Sequence, residues 1–318
     1  MFMTRLPCPP SPRSETHVSR FRHGGWVFIL YVMLGPLWLP AAEGADALIL
    51  GRDVPILQAP RVTAEMVKTA RPGESYEVIG RKTGKGQPLY ILDERGNLWM
   101  KVSVSDDMSG YLRTDGVSVA REEFSSPRGN PLLVVNLRPI ADGTVVRELW
   151  WVQEGWKRTM RLAIIEGRPV WAGNGEWFLC QVDSERPIKD QTVDRTIERI
   201  ERFSADGRSR NTLAAGSYPV LNEARGEVYF YRDVDEQGDT VRPGLFAVNV
   251  TGNNLRPLFL LPEGFRFWKE DGDFFVQAPS PTLHAPANRI ALYAFDRKGK
   301  RARFTVTLEG HLVELLSD

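Results

Sequence analysis

After residue 131 the chain repeats one pattern, and that recurrence limits what it can build. One half of the pattern is a Pro, a short gap and an apolar run. It occurs as Pro169-Val170-Trp171 before Glu176-Trp177-Phe178-Leu179, and as Pro219-Val220-Leu221 before Glu227-Val228-Tyr229-Phe230. It returns as Pro281-Thr282-Leu283 before Arg289-Ile290-Ala291-Leu292-Tyr293. The other half is a strand that runs into a Gly turn: Arg202 to Gly207, Val248 to Gly252 and Val306 to Gly310, with Val152 to Gly155 as a weaker first copy. These glycines stand 52, 45 and 58 residues apart. A unit of that size buries too little apolar surface alone, so successive units must stack face to face.

A period near fifty residues with about four strands per unit predicts β-propeller blades. Pro281 to Tyr293 and Leu245 to Leu258 resemble the two halves of a TolB-type propeller blade. That family has six blades, whereas residues 131–318 hold three or four. The alternatives are a small four-bladed ring, a partial one, or an open array of sheets. An open array needs its edges covered, and a homo-oligomer is one way to do it. Asp190 to Arg202 carries apolar residues at a helical spacing but also alternates through Ile197 to Phe203; strand is the favoured reading.

Residues 45–122 are different. Short apolar runs (47–50, 75–80, 88–92, 97–104 and 109–113) lie between turn signals such as Pro72-Gly73 and Arg95-Gly96-Asn97, which predicts a small barrel. Val54 to Pro60, Arg71-Pro72-Gly73-Glu74-Ser75-Tyr76-Glu77-Val78-Ile79-Gly80, Leu98-Trp99-Met100-Lys101-Val102 and Gly110-Tyr111-Leu112 resemble a bacterial SH3-like (SH3b) domain. Leu57 to Pro60 is a loose match, and Tyr111 stands where such domains close on Trp. Residues 121–130, REEFSSPRGN, have linker composition. The expected class is therefore all-β: a small SH3-like barrel, then propeller-like repeats.

Residues 1–44 read as a signal peptide or N-terminal anchor. Arg5, Arg13, Arg20, Arg22 and His23 precede an uncharged stretch, 24–42, whose apolar heart is the 14 residues Trp26 to Leu39. As a helix that heart spans about 21 Å, short of a roughly 30 Å hydrocarbon core. Export with cleavage is expected, to the periplasm or cell envelope; retained, residues 24–42 would be the only membrane contact. Losing 1–44 removes four Arg and two Glu and leaves 37 basic against 38 acidic residues. A phosphate-backbone binder carries a basic excess, so nucleic acid is not an expected partner. Cys8 leaves as well, and Cys180, in the run EWFLCQV, reads as a small buried hydrophobe.

Catalytic motifs are scarce. The mature chain has two His, His284 and His311, in different repeats, and no G-x-S-x-G, H-E-x-x-H or C-x-x-C. Asp233-Val234-Asp235-Glu236-Gln237-Gly238-Asp239 suggests a Ca²⁺ loop, but its twelfth position is Gly244, so a solvated turn is the better reading. No cofactor or metal is expected. A carboxylate pair for glycan cleavage is conceivable among the acids but cannot be placed by sequence. Trp150, Trp151, Trp156, Trp171 and Trp177 cluster, and adjacent Trp150 and Trp151 point to opposite faces of a strand. Tyr76, Trp99 and Tyr111 are the candidate binding residues, as a shallow aromatic groove for peptide or glycan. The expectation is an exported, non-enzymatic protein that binds an envelope protein or a peptidoglycan peptide. The alternatives are an envelope glycan or peptide hydrolase targeted by the SH3-like module, and a structural scaffold.

Overall fold

The computed structural model describes residues 46–80, 89–153, 155–187, 196–267 and 289–317. The leader, His284 and Pro281-Thr282-Leu283, the first part of the third repeat copy, lie outside the described residues. Everything described is strand, turn or loop, and every strand pairing is antiparallel. The all-β expectation holds.

The first sheet holds β1 (Asp46–Ile49), β2 (Val54–Leu57), β3 (Met66–Ala70), β4 (Ser75–Ile79), β5 (Tyr90–Leu92), β6 (Leu98–Ser105), β7 (Met108–Arg113) and β8 (Val117–Ser118). Their order is β3-β2-β7-β6-β4-β1-β8, with β5 on β6. One face buries Ile49, Val54, Ile56, Tyr76, Val78, Met100, Val102 and Leu112.

The second sheet is a seven-stranded meander: β9 (Arg121–Ser125), β10 (Leu132–Pro139), β11 (Val145–Gln153), β12 (Arg158–Trp171), β13 (Trp177–Pro187), β14 (Thr196–Ser204) and β15 (Arg210–Ala215). It is two four-stranded units that share a strand. The 14-residue β12 pairs with β11 through Arg158 to Ile164 and with β13 through Ile165 to Trp171. Two further four-stranded sheets follow. One is β16 (Ser217–Asn222), β17 (Glu227–Val234), β18 (Thr240–Asn249) and β19 (Arg256–Leu260). The other is β20 (Arg266–Phe267), β21 (Arg289–Phe295), β22 (Arg301–Thr307) and β23 (Leu312–Ser317). Four propeller-like units result.

Each recurrent glycine links the third and fourth strands of its unit, with φ of +58° at Gly155, +69° at Gly207 and +90° at Gly252 and Gly310. Only glycine takes that backbone without cost. In three of these turns the last strand residue caps the reversal. Ser204 Oγ accepts Ser209 N–H, Asn249 Oδ1 accepts Asn253 N–H, and Thr307 Oγ1 accepts His311 N–H. The repeat is thus a repeat of turn chemistry as well as of apolar pattern.

The units stack through their alternating faces. Leu133, Leu149 and Trp151 of the first unit meet Phe178, Cys180 and Phe203 of the second. Leu179, Ile200 and Leu213 of the second meet Val228, Phe230 and Val248 of the third. Tyr229, Leu245 and Ala247 of the third meet Ile290, Leu292, Phe304 and Val306 of the fourth. The first unit's other face, with Val134, Trp150 and Val152, closes on Leu48 and Leu50 of the first sheet. Thr159 Oγ1 donates to Leu50 O across that seam, and Asn136 Nδ2 donates to Val117 O at 3.1 Å.

Two local outcomes refine the sequence reading. Arg121 to Ser125, expected as linker, is β9: Glu122 and Phe124 pair into β10, because the alternating R-E-E-F-S pattern outweighs its polar composition. Thr196 to Ser204 is strand, as favoured over a helix; its Ile200 and Phe203 serve two different interfaces, which only period-2 alternation allows.

Candidate functional site

The three aromatic residues singled out from the sequence do not share one surface. Tyr76 belongs to the core of the first sheet; its hydroxyl donates to Glu74, and Lys68 Nζ lies 5.0 Å from the ring centroid. Desolvation, then the Glu74 hydrogen bond, raises its pKa. In the β6–β7 register Trp99 faces Arg113 and Lys101 faces Tyr111, so Trp99 and Tyr111 lie on the sheet face opposite Met100 and Val102. Tyr76, in register one strand over with Val78 and Val102, lies on the core face.

Trp99 is buried, and its Nε1 donates to Asp93 Oδ2 at 2.9 Å. Hydrogen bonds from the Asn97 side chain, the Trp99 indole and the backbone N–H groups of Asn97 and Arg95 hold the Asp93 carboxyl well below the usual carboxylate range, against a smaller desolvation effect. The indole is thereby locked. It helps floor a cleft of about 500 Å³ at the seam between the first sheet and the first unit.

Three local structures supply the cleft wall. The β1–β2 turn brings Arg52 and Asp53; Asp53 sits at φ +50°, and neither side chain makes a hydrogen bond or ion pair among the described residues. Asp is one of the few non-glycine residues that take this left-handed conformation readily in a turn. The end of β7 brings Arg113, paired with Asp115. Strands β11 and β12 bring Glu148, Trp150 and Arg161.

Glu148 is 1% exposed. Its Oε1 accepts Arg138 Nε at 2.9 Å and ion-pairs with Arg161 Nη2 at 3.2 Å, while Oε2 accepts Asn136 Nδ2 at 3.4 Å. Alternation explains the placement: Glu148, Trp150 and Val152 fall on the seam face of β11, and Leu149 and Trp151 on the other. The result is a concave wall of guanidinium and carboxylate groups over indole. It can bind an anionic group bidentately and offers a free carboxylate, Asp53, for proton transfer.

Sequence reasoning did not find Arg52, Asp53, Arg113, Glu148 or Arg161. Two signals were present. Glu148 is a charge inside the apolar run VVRELWWV, and Arg52-Asp53 is an ion pair's worth of charge in a tight gap between two apolar strands.

The other candidates resolve as structural parts. The acidic run at 233–239 is the β17–β18 hairpin turn: Asp235 Oδ1 accepts the N–H groups of Gln237 and Asp239, and Arg232 binds Glu236 at 3.0 Å. Trp151 and Trp171 donate to Ala205 O and Phe124 O, and Trp177 stacks under Arg202 at 4.7 Å. Cys180 is fully buried; burial, then the Glu201 carboxylate opposite it, pushes its thiol pKa well up.

No protein-family model matches the chain, and no curated protein matches it. Solved structures do. An oligogalacturonate lyase in complex with manganese aligns at 13% identity and TM-score 0.37, over 70% of this chain and 62% of that one. The chain thus spans less than two thirds of that protein's length. An oligogalacturonate lyase from Vibrio parahaemolyticus aligns at 11% identity and TM-score 0.39, over 86% and 74%. The tricorn protease aligns at 12% identity and TM-score 0.33, over 86% and 30%. These are propeller-like folds and each of these proteins is an enzyme, so the likeness gives no support to the expectation of a non-enzymatic binding and interaction protein. At such TM-scores the likeness assigns no residue and no substrate, so the chemistry rests on the cleft itself.

Proposed function

We propose that the chain is an exported enzyme of the cell envelope that cleaves an acidic glycan in the seam cleft. The observation that carries this reading is the wall composition: Arg52, Arg113 and Arg161 with Asp53, Asp115 and the buried Glu148 around one 500 Å³ hollow. Glycosidic cleavage needs two carboxyl groups and little else. Peptide cleavage needs a nucleophile with its base, a bound metal, or two carboxyl groups close enough to share one proton; here Asp115 and Glu148 are each held by arginine instead. The cleft wall holds no Ser, Cys or His among the described residues.

In this reading the guanidinium groups of Arg52 and Arg161 hold the sugar carboxylate. Asp53 and Asp115 supply the two carboxyl groups of the step: one protonates the departing glycosidic oxygen as the C–O bond breaks, and the other takes a proton from the water that adds to the anomeric carbon, so one water is consumed and two chain ends appear. Glu148 is a positioning residue, holding Arg138 and Arg161. The SH3-like resemblance of residues 45–122 then describes one wall of the catalytic cleft as much as a targeting arm, and the TolB-like resemblance describes the stack behind the other wall. Residues 1–44 direct export.

The test is the release of reducing ends by the purified chain from polyuronates, hyaluronan and peptidoglycan glycan strands, with neutral cellodextrins as control. Release is expected from an anionic polymer and not from the neutral one. Asp53→Asn should lose about two to four orders of magnitude in kcat with an unchanged circular dichroism spectrum. Silence towards every anionic polymer, or full activity in D53N, overturns the reading.

A further inference from the structure

The seam cleft shares its walls with two neighbours. Arg113 and Asp115 also line a hollow of about 280 Å³ that includes Arg138. On the other side, Arg52 also lines a hollow of about 340 Å³ with Trp151, Arg158, Asp206 and Arg208. The three hollows together present six arginines, Arg52, Arg113, Arg138, Arg158, Arg161 and Arg208, against four carboxylates. The chain as a whole carries 41 basic and 40 acidic residues, so this excess is local.

We infer that the three hollows form one extended track that holds a linear acidic polysaccharide over several consecutive sugars, with the central hollow at the bond that breaks. The inference rests on the glycan reading above and deepens it from one sugar site to a polymer track. Arg52 belongs to two hollows at once and makes no ion pair among the described residues, so its guanidinium is free for a ligand carboxylate. Arg208 marks the far end; its side chain is 81% exposed and its nearest carboxylate, Asp206, is 3.9 Å away. Arg138 marks the other end, oriented by Glu148.

The same features disfavour a polynucleotide. Single-stranded nucleic acid is held by open aromatic faces on which bases stack. The indoles along the track, Trp99, Trp150 and Trp151, are 1%, 7% and 9% exposed and offer no such faces. Carboxylates interleaved with arginines suit a uronate polymer, whose hydroxyls donate to carboxylates and whose carboxylates accept from guanidinium groups.

The experiment measures calorimetric affinity of the D53N protein for a uronate dimer and for long oligouronates. Affinity should rise at least about tenfold from dimer to long oligomer, the gain of a single added charge-assisted contact. Arg208→Ala should remove most of that gain and leave dimer affinity unchanged; its exposed position keeps the fold intact. Equal affinity at all lengths, an unaffected R208A, or tighter binding of a single-stranded oligonucleotide of matched charge overturns the track. Cleavage by the wild type with length-independent binding sinks the track alone. Length-dependent binding with no cleavage by the wild type sinks the enzymatic reading alone.

Discussion

Trp150 and Trp151 are bonded neighbours that belong to different hydrophobic cores. Trp150 packs with Leu48 and Leu50 of the first sheet, and Trp151 packs with Phe178 and Phe203 of the second unit. The first unit is therefore the middle layer of three, and each indole holds one of its faces. Replacing either by Ala should cost about 3–5 kcal/mol, read as a shift in the urea midpoint. The two variants should differ in one respect. Trp150→Ala opens the floor of the central cleft and weakens binding of a uronate dimer there, whereas Trp151→Ala loosens the contact with Ala205 and spares dimer binding. Equal loss of binding in both would contradict the separation.

The Asp93 carboxylate stabilises the fold in a pH-dependent way. Its folded pKa lies below the ordinary value of 3.8, set first by the Asn97 side chain and then by Trp99. A depressed folded pKa contributes stability that is present above the unfolded pKa and is lost as pH falls through the folded one. Asp93→Asn should therefore destabilise the protein at pH 7, and the gap to wild type should close as pH drops below 3.8. Urea titrations at several pH values check this. A gap that persists unchanged in strong acid would show that the carboxylate charge is not what holds Trp99.

The units, their turns and the opposite facing of Trp150 and Trp151 were readable because each is a local periodicity. Gly155, Gly207, Gly252 and Gly310 announce a reversal that any neighbouring strand must obey. The cleft was not readable. It joins Asp53, Arg113 and Glu148, residues far apart in sequence that only the docking of two sheets brings onto one wall. Tyr76, Trp99 and Tyr111 show the converse difficulty. All three are aromatic residues on neighbouring strands, yet which face each takes depends on the register between β4, β6 and β7, which a single sequence does not fix. The linker reading of 121–130 yielded over 121–125 alone, for a related reason: five alternating residues suffice for an edge strand once a partner, β10, lies beside them, while 126–130 is the turn between the two.

Gly310 and Gly143 separate two costs of a side chain. Both have φ near +90°, so Ala at either strains the backbone by about 1–2 kcal/mol. A Cβ at Gly143 meets nothing within 4 Å, whereas one at Gly310 runs into the carbonyl of Leu258 on the neighbouring sheet. Gly310→Ala should be clearly more destabilising than Gly143→Ala in urea denaturation. Equal losses would mean that the third and fourth units are not packed as described.

Cys180 should behave as a hydrocarbon. Its thiol is fully buried and its pKa is raised by burial and by Glu201. With Cys8 replaced by Ser, a thiol reagent at pH 8 should label nothing in the native protein and one site per chain in denaturant. Rapid native labelling would mean that the interface between the first two units opens readily.

The 14-residue β12 closes one four-stranded unit and begins the next within a single strand. No joint exists there at which the polypeptide could be cut and leave both neighbours whole. Recombination can add or remove modules where loops separate them, as between β19 and β20, but this pair must be inherited, synthesised and lost as a single piece.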